Sequence, residues 1–448
     1  MKDVMRHLAA SFVLAGAVCA AAQPEARDSY RGRVQAVLRI PGLAAFWDFV
    51  QREDGPQGTG RFIAHTRGGP KDGYALEPRN IPHDYWRAGR PASYADFPLL
   101  GRGPFGQAVH FPAAADRELR PVLAVPRARL HGTPLDVKGP RKSVSMVAWI
   151  IREDGDHAIA GIWHEGTDIS PPEDRAAVVE PGRRQYALFA GLAANPGAAS
   201  AHVSENGRAS FGDRYARNLA VTIETIPRVS AKASGAELDA HWTVVGFTFD
   251  NQRNCVTAYI DGKAAEHWVE EPAKHPFYRH AARAWQQATL AGIPGLQPGE
   301  DPAFPRDQYY QPPEGKPRSV KVLKQTPDER LELHTFPYTR VRVTLRKDSR
   351  GRFRVIAGRE LAALKVNPFW FPHDLYSPPS REEGGPFTIG RVIHSRRGAG
   401  MAGYYGGVAV YTRALTPGEM AALAAVGRAP DGKIQPLELR QILSAGMQ

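Results

Sequence analysis

The sequence predicts an all-β protein built as a sandwich of antiparallel sheets. Of its 448 residues, 44 are glycine and 38 are proline, and both types favour turns between strands over long helices. The stretch 241–263, HWTVVGFTFDNQRNCVTAYIDGK, has the pattern of a hairpin. Within it the odd positions from Thr243 to Phe249 are bulkier than the even ones, as expected for a sheet that packs against a second sheet.

Residues 1–22 have the composition of a signal peptide. Two cationic residues precede an apolar stretch that is too short to span a membrane, and the stretch ends in three alanines at 20–22. We therefore expect export to the periplasm or the extracellular space, with a mature chain that starts near Gln23 and has no membrane span. Without the leader Cys255 is a single cysteine, so we expect no disulfide within the chain.

Strand-like segments then follow one another along the chain, at 42–51, 103–111, 143–152, 157–166, 184–197 and 199–207. They lead into the hairpin at 241–263, after which the sandwich pattern lapses and returns at 386. We therefore assign 23–263 to the first part of the sandwich, 264–385 to a large loop-rich insertion, 386–428 to the last strands and a helix, and 429–448 to a C-terminal tail.

The insertion and the C-terminal segment each contain one clear local signal. At 338–358 an amphipathic hairpin alternates aliphatic residues with arginines. Further on, Thr416, Pro417 and Glu419 have the spacing of an N-cap, a first-turn proline and a capping box, which predicts a short helix from there to Gly427.

The ordered segments GLAAFWDF, GPFGQAVHF, VSMVAWI, YALFAGL, HWTVVGFTFD, VTAYIDGK, FTIGRV and GGVAVYTRALTPGEMAAL resemble the laminin-G-like branch of the concanavalin A-like lectin/glucanase superfamily. The resemblance covers 42–427 and implies a two-sheet antiparallel jelly roll. Two departures stand out. The connection after Lys263 is several times longer than is usual in that family, and 406–410 lacks the carboxylate that many members carry in the last strand.

The charge of the chain indicates an anionic partner. The formal net charge is +12, of which the leader contributes little. An exported protein this basic meets acidic polysaccharides and other anionic surfaces, whereas export and the lack of a recognised motif argue against nucleic acid. A general preference of the source for basic residues explains the charge equally well. We expect a monomer.

Two arginine- and aromatic-rich segments, 367–381 and 390–407, supply the candidate site residues. Arginine suits bidentate recognition of a carboxylate, aromatic rings stack on sugars, and a tuned His or Tyr can act as a base. The candidates for ligand binding are Trp370, Arg391, Arg396, Arg397 and Tyr404, and those for catalysis are His373, Tyr376, His394 and Tyr405. The alternative is a loop with packed aromatics beneath it and arginines in solvent.

Other chemistry finds less support in the sequence. The paired carboxylates of the form E-x-D-x-x-E that glycosidases of this superfamily use are absent. His164 and Glu165 are adjacent in a predicted strand and should point to opposite faces, so we interpret them as structural. The oxygen-rich turns at 153–157 and 249–254 would suit a structural calcium ion, but neither has the EF-hand spacing. Since no cluster has metal-ligand spacing, we expect neither a metal nor another cofactor.

The sequence thus favours an exported, lectin-like protein that recognises an acidic polysaccharide. A polysaccharide-degrading enzyme, either a lyase or a glycoside hydrolase acting on an acidic glycan, is the first alternative. A structural or adhesion module without catalysis is the second. Whether the chain is an enzyme stays open at this stage.

Overall fold

The computed structural model describes residues 29–53, 61–113, 115–155, 157–165, 183–192, 195–207, 219–290, 310–393 and 399–445. The predicted signal peptide lies outside these ranges. In chain order the strands are β1 Leu43–Trp47, β2 Arg52–Glu53, β3 Arg61–Phe62, β4 Glu77–Asn80, β5 Arg102–Gly103, β6 Val109–Phe111, β7 Pro121–Val125, β8 Val144–Asp154, β9 Ala158–His164, β10 Arg183–Ala190, β11 Ala198–Val203, β12 Leu219–Thr225, β13 Thr243–Asp250, β14 Cys255–Ile260, β15 His267–Glu270, β16 Ser319–Gln325, β17 Glu329–Thr335, β18 Thr339–Lys347, β19 Phe353–Asn367, β20 Phe369–Trp370, β21 Phe387–Ile389, β22 Ala402–Tyr411 and β23 Leu437–Glu438.

The α-helices are short and lie around the sheets: α1 Tyr30–Leu38, α2 Ile81–Trp86, α3 Arg127–Leu130, α4 Gly235–Asp239, α5 Arg279–Leu290, α6 Pro417–Ala424 and α7 Leu439–Ser444. Turns of 3-10 helix occur at Tyr94–Asp96 and Pro272–Lys274. In the described ranges no helix has the length and apolar character needed to cross a membrane.

Two antiparallel sheets form the sandwich. The first sheet has the strand order β1-β22-β8-β13-β14-β20, with β6 paired to β22, and the second has the order β12-β11-β10-β9-β21-β7-β4. The hairpin expected at 241–263 is β13 and β14, which pair in register with Val245 opposite Ile260 and Phe249 opposite Val256. The predicted all-β sandwich is therefore confirmed.

The odd positions of β13 face the inside of the sandwich, as the alternation predicts. Phe247 and Phe249 belong to the core between the sheets, together with Ile162 and Leu188 of the second sheet. The even position Val244 belongs instead to a separate core on the outer face of the first sheet. That outer core is covered by α1 and α6, so the first sheet is buried on both faces.

The segment 264–385 forms a third antiparallel sheet, the insertion sheet, with the order β15-β19-β18-β17-β16. The hairpin expected at 338–358 is β18 and the first half of β19, and the described part of the chain extends it by three strands. Val341 and Leu364 of this sheet share one core with Val256 of the sandwich. Because β20 also pairs with β14, the insertion sheet is joined to the first sheet through both core and backbone.

The predicted C-terminal helix is present as α6. The Thr416 hydroxyl accepts a hydrogen bond from the backbone N–H of Glu419 at 3.2 Å, and the Glu419 carboxylate accepts one from the backbone N–H of Thr416 at 2.8 Å. These two bonds are the capping box that the sequence predicts, and they satisfy two backbone donors of the first turn. The tail adds α7.

Candidate functional site

Several polar side chains converge at the outer face of the second sheet. In β7, Leu123 and Val125 fill the core between the sheets, so the alternation directs Ala124 to the opposite face. In β21, Phe387 and Ile389 likewise leave Thr388 on that outer face. Ile81 and Trp86 of α2 form a small core with Val122 and Ile393 on this side of the sheet, and a cavity opens beside it.

We call this space the outer-face cavity, and it has a volume of about 330 Å³. Its lining combines a few aliphatic groups with aromatic, cationic and acidic side chains. The residues are Arg79, Asp84, Tyr85, Val122, Ala124, Pro126, Arg127, His164, Arg183, Glu382, Gly384, Pro386, Thr388 and Ile393.

Three backbone segments meet at the floor of the cavity. His164 at the end of β9 lies directly opposite Arg183 at the start of β10. The next backbone N–H, that of Glu165, donates to the Ile393 carbonyl at 2.8 Å. Gly385 fits closely beneath them, because a Cβ there would lie 3.0 Å from the Arg183 carbonyl and 3.4 Å from the His164 Cβ. The pairing of β9 with β10 thus fixes the imidazole beside the guanidinium.

Helix α2 brings Tyr85 against His164. The helix is anchored by Asn80, whose buried side chain donates to the carbonyls of Arg90 and Glu118, both at 2.7 Å, and accepts from the Arg120 backbone N–H. The rings of Tyr85 and His164 meet edge to face, with their centroids 5.4 Å apart. Tyr85 also packs on the small core that contains Ile393.

His164 is a neutral imidazole in this setting. Its side chain is 2% exposed, and burial, together with the charges of Arg183 and Arg184, lowers its pKa to about 3. The buried Nδ1 has no hydrogen-bond partner among the described residues. A buried polar atom without a partner costs free energy, so this nitrogen is suited to bind a ligand group or an ordered water.

Tyr85 is a protonated phenol at neutral pH. Burial and the neighbouring Asp84 raise its pKa to about 12, while the charges of Arg79 and Arg183 act in the opposite direction. The half-buried phenol can therefore donate or accept a hydrogen bond within the cavity. An anion that neutralised the two arginines would make its deprotonation harder still.

The three arginines of the cavity differ in the hydrogen bonds and ion pairs that they make with other protein groups. Arg127 donates to the buried carboxylate of Asp136 at 2.7 Å and to the Arg381 carbonyl at 3.2 Å. Arg79 pairs with Glu77 at 2.5 Å near the rim. Arg183 differs, because its buried Nε finds no partner in the described part of the chain. It is the cation best placed to bind a carboxylate from outside.

Among the predicted site residues that the structure describes, Tyr376 is one on which the charge of Arg183 acts. Its backbone N–H donates to the Ser204 carbonyl at 2.8 Å, and its side chain is buried. Burial and the charge of Glu383 raise the pKa of the phenol, while the charge of Arg183 lowers it. The same Arg183 thus acts on the phenols of Tyr85 and Tyr376.

Of the other predicted residues of segment 367–381, Trp370 lies in β20 of the first sheet and His373 lies in the loop that follows it. Trp370 is half-buried in β20, opposite Cys255, and its ring meets that of Tyr310 edge to face at 5.5 Å. The ring of His373 lies 5.2 Å from that of Phe371. The structure therefore does not bring these two residues to the outer-face cavity.

Three predicted residues of 390–407 are described, and none of the three lines the cavity. Arg391 is 3% exposed and donates to the carbonyls of Pro121 and Pro112. Tyr405 is fully buried and donates to the Met401 carbonyl at 3.2 Å. Tyr404 is half-buried and stacks on His110 with centroids 4.4 Å apart. In these positions Arg391 and Tyr405 are buried and hydrogen-bonded to backbone carbonyls, so they stabilise the fold.

His394, Arg396 and Arg397 lie outside the described residues and stay predictions. In the sequence they follow directly after Ile393, which lines the cavity. The sequence predicts structural roles for both His164 and Glu165. The Glu165 carboxylate accepts a hydrogen bond from the Trp163 indole N–H at 3.1 Å, which agrees with such a role. The strand ends at His164, which lines the cavity.

The sequence interpretation missed Tyr85 and Arg183. Tyr85 sits in a segment with the composition of a loop, and a six-residue helix gives too little periodicity to be recognised. Arg183 is one arginine among many in a chain of net charge +12. The available signal was the strand-end position of His164, which becomes informative only when the strand pairing is known.

No protein-family model matches the sequence, and neither does any curated protein. Among solved structures, domain 4 of AbnA, a GH43 extracellular arabinanase from Geobacillus stearothermophilus in complex with arabinotriose, aligns with a TM-score of 0.34 and 11% identity over 86% of this chain and 98% of that one. The binding domain of botulinum neurotoxin DC in complex with rat synaptotagmin II aligns at 0.29 and 8% over 83% of this chain, which spans about half of that domain's length.

Trypanosoma rangeli sialidase in complex with the inhibitor DANA aligns with a TM-score of 0.24 and 8% identity, over 85% of this chain and 32% of that one. All three TM-scores are below 0.5.

Proposed function

We propose that this protein is an exported, lectin-like binder of an acidic polysaccharide, with the outer-face cavity as its ligand site and a laminin-G-like sandwich as its scaffold. One observation carries the proposal. Arg183 and His164 line one cavity, and each has a buried side-chain nitrogen, Nε and Nδ1, without a hydrogen-bond partner in the described chain. A uronate sugar supplies a carboxylate for the guanidinium and a hydroxyl for the imidazole.

The dimensions and charges of the cavity agree with one sugar unit of a longer chain. A volume of about 330 Å³ is near the lower end of ligand sites, roughly 300–1,000 Å³. Arg79 adds a second positive charge to the lining of the cavity. Asp84 and Glu382 can accept hydrogen bonds from sugar hydroxyls. Tyr85 offers an aromatic surface for a sugar ring.

The test is binding of oligouronates to the mature chain by calorimetry at low ionic strength. We expect Arg183→Gln to weaken binding by about tenfold or more, because a charge-assisted bond is lost. Arg253→Gln, in the exposed turn after β13 and away from the insertion sheet, removes the same charge elsewhere and should leave affinity unchanged. The proposal is wrong if the unaltered protein binds no oligouronate, or if both substitutions have equal effects.

A second function, eliminative cleavage of the same glycan, is favoured by the convergence of Tyr85, His164 and Arg183. An elimination needs a cation to neutralise the uronate carboxylate and a base to remove the neighbouring proton. His164 is the candidate base once the uronate carboxylate neutralises Arg183, because the charge of that arginine is one cause of the lowered pKa of the imidazole. The Tyr85 phenol can give a proton to the departing sugar oxygen. Cleavage would create a double bond that absorbs ultraviolet light. Growth of that absorbance, lost in His164→Phe, would identify an enzyme, whereas stable oligouronate complexes without it leave binding as the function.

A further inference from the structure

A second cavity lies between the end of α1 and the loop that follows β3. Its volume is about 430 Å³, and we call it the loop cavity. The residues that matter for its chemistry are Gln35, Gln51, His65, Thr66, Arg67 and Lys71. None of them lines the outer-face cavity.

The backbone makes this loop a closed unit. The Ala64 N–H donates to the Gly73 carbonyl at 2.7 Å, which ties the two ends of the loop together. His65 pairs through its own N–H and carbonyl with Phe46 of β1, at 2.8 and 2.9 Å. Gly73 has a φ of +56°, and a Cβ there would lie 2.3 Å from the Ile63 side chain, so the closure requires glycine.

Asp48 at the end of β1 determines which nitrogen carries the hydrogen in the neutral His65 ring. The buried carboxylate lies 2.7 Å from His65 Nε2, and it also accepts from the Tyr30 hydroxyl at 2.8 Å and from two backbone N–H groups at 2.9 Å. Because an ionised carboxylate only accepts, Nε2 must carry the hydrogen in this contact. In the neutral ring Nδ1 is then a hydrogen-bond acceptor, and it makes no hydrogen bond within the described chain.

The cavity holds a second acceptor and two cations. The buried Oε1 of Gln51 has no donor among the described residues, and such an atom is stabilised by a ligand donor. The Arg67 and Lys71 side chains are exposed at the rim. Of the lining residues that the structure describes, none is a carboxylate. The site therefore combines acceptors inside with positive charge at its mouth.

We propose that the loop cavity is a second ligand site, which takes a small hydroxylated anion such as a sugar acid or a sugar phosphate. Hydroxyl groups of the ligand donate to His65 Nδ1 and to Gln51 Oε1. Its anionic group lies against Lys71 and Arg67. The Asp48 carboxylate acts as a positioning group, because it holds the ring with the acceptor nitrogen available. This site does not depend on the proposed function of the outer-face cavity.

The test uses the mature chain and follows the His65 ring signals by nuclear magnetic resonance, with calorimetry in parallel. The probes are glucuronate, glucose 6-phosphate, inorganic phosphate and glucose. We expect glucuronate, glucose 6-phosphate or both to bind saturably, with a dissociation constant of about 1 mM or tighter, and to shift the His65 resonances. Which of the two binds identifies the class of anion.

Two variants separate the parts of the proposal. His65→Phe keeps a ring against Phe46 and removes the acceptor, and Lys71→Gln removes one cation at an exposed position that the fold does not need. Each should weaken the bound probe by about tenfold, while Lys142→Gln on another surface should have no effect. No saturable binding, equal affinity for glucose, or equal affinity for inorganic phosphate would overturn the proposal.

Discussion

Arg183 and Arg391 show how the surroundings of a side chain decide its role. The guanidinium of Arg391 is buried, donates to two backbone carbonyls, and has a pKa lowered to about 10 by its burial. It holds the loop before β7 against the second sheet. Arg183 lines a cavity, and its buried Nε has no partner in the described residues. Residue type alone could not separate the two.

Gly384 lies in the wall of the outer-face cavity, where there is no room for a side chain beside Arg127. A Cβ at this position would lie 2.1 Å from Arg127 Nε, and Arg127 cannot move freely because it pairs with the buried carboxylate of Asp136. We expect Gly384→Ala to lower the free energy of unfolding by about 1–3 kcal/mol, the usual cost of overpacking. Urea denaturation measures the change.

Gly418 provides the matched control for that substitution. It is exposed in the first turn of α6, and a Cβ there meets its nearest atom at 4.0 Å. Gly418→Ala should therefore leave stability unchanged or raise it by up to about 1 kcal/mol. Equal losses in the two variants would show that the contact with Arg127 does not limit position 384.

At the scale of elements, α6 depends on Glu419. The Arg413 guanidinium, the Thr416 backbone N–H and the Thr416 hydroxyl together lower the pKa of this carboxyl from 4.5 to about 2. The carboxylate closes the capping box that starts the helix. Since the folded state favours the ionised form, its contribution to stability is present above pH 4.5 and is lost as the pH falls towards 2.

Glu419→Gln should therefore lower stability at neutral pH by roughly 0.5–1 kcal/mol, because the charge at the helix start and the pairing with Arg413 are lost. The difference between the two proteins should shrink through the window between pH 4.5 and about 2. Thermal denaturation across this range checks it. A difference that stayed constant with pH would show that the carboxylate charge plays no part.

The elements with a strong local signal were the ones that the sequence could predict. The β13–β14 hairpin has clear alternation, and α6 has a complete start signal at Thr416. The candidate site was harder, because its parts come from the end of β9, the start of β10 and a short helix at 81–86. Only the pairing of distant strands brings His164, Arg183 and Tyr85 together, and no local pattern encodes it.

For the whole molecule, the distribution of charge matters more than its total. Residues 316–359 contain thirteen lysines and arginines against four carboxylates, so most of the net charge of +12 lies on the insertion sheet. Several arginines there pair with glutamates, as Arg340 does with Glu270 at 2.7 Å. The lysines at 316, 321 and 324 are exposed along one edge. A field of one sign attracts an anionic polymer before contact.

We expect the triple replacement of Lys316, Lys321 and Lys324 by glutamine to slow association with a polyuronate by several-fold at low salt, with a smaller effect at physiological salt. Surface plasmon resonance at the two ionic strengths measures the rates. The control replaces three exposed lysines elsewhere, Lys142, Lys274 and Lys433. If the control slows association equally, net charge and not its location governs the encounter.

The short strand β20 has a consequence for how the chain reaches its native state. It completes the edge of the first sheet by pairing Phe369 with Val256, across more than one hundred residues of intervening chain. That loop must close before the edge can form, and long-range closure of this kind slows folding. Because the insertion sheet also shares a core and a strand pairing with the sandwich, we expect the two to unfold in one cooperative transition, with coincident urea curves by fluorescence and circular dichroism. The insertion is thus not an appendage that can be trimmed away.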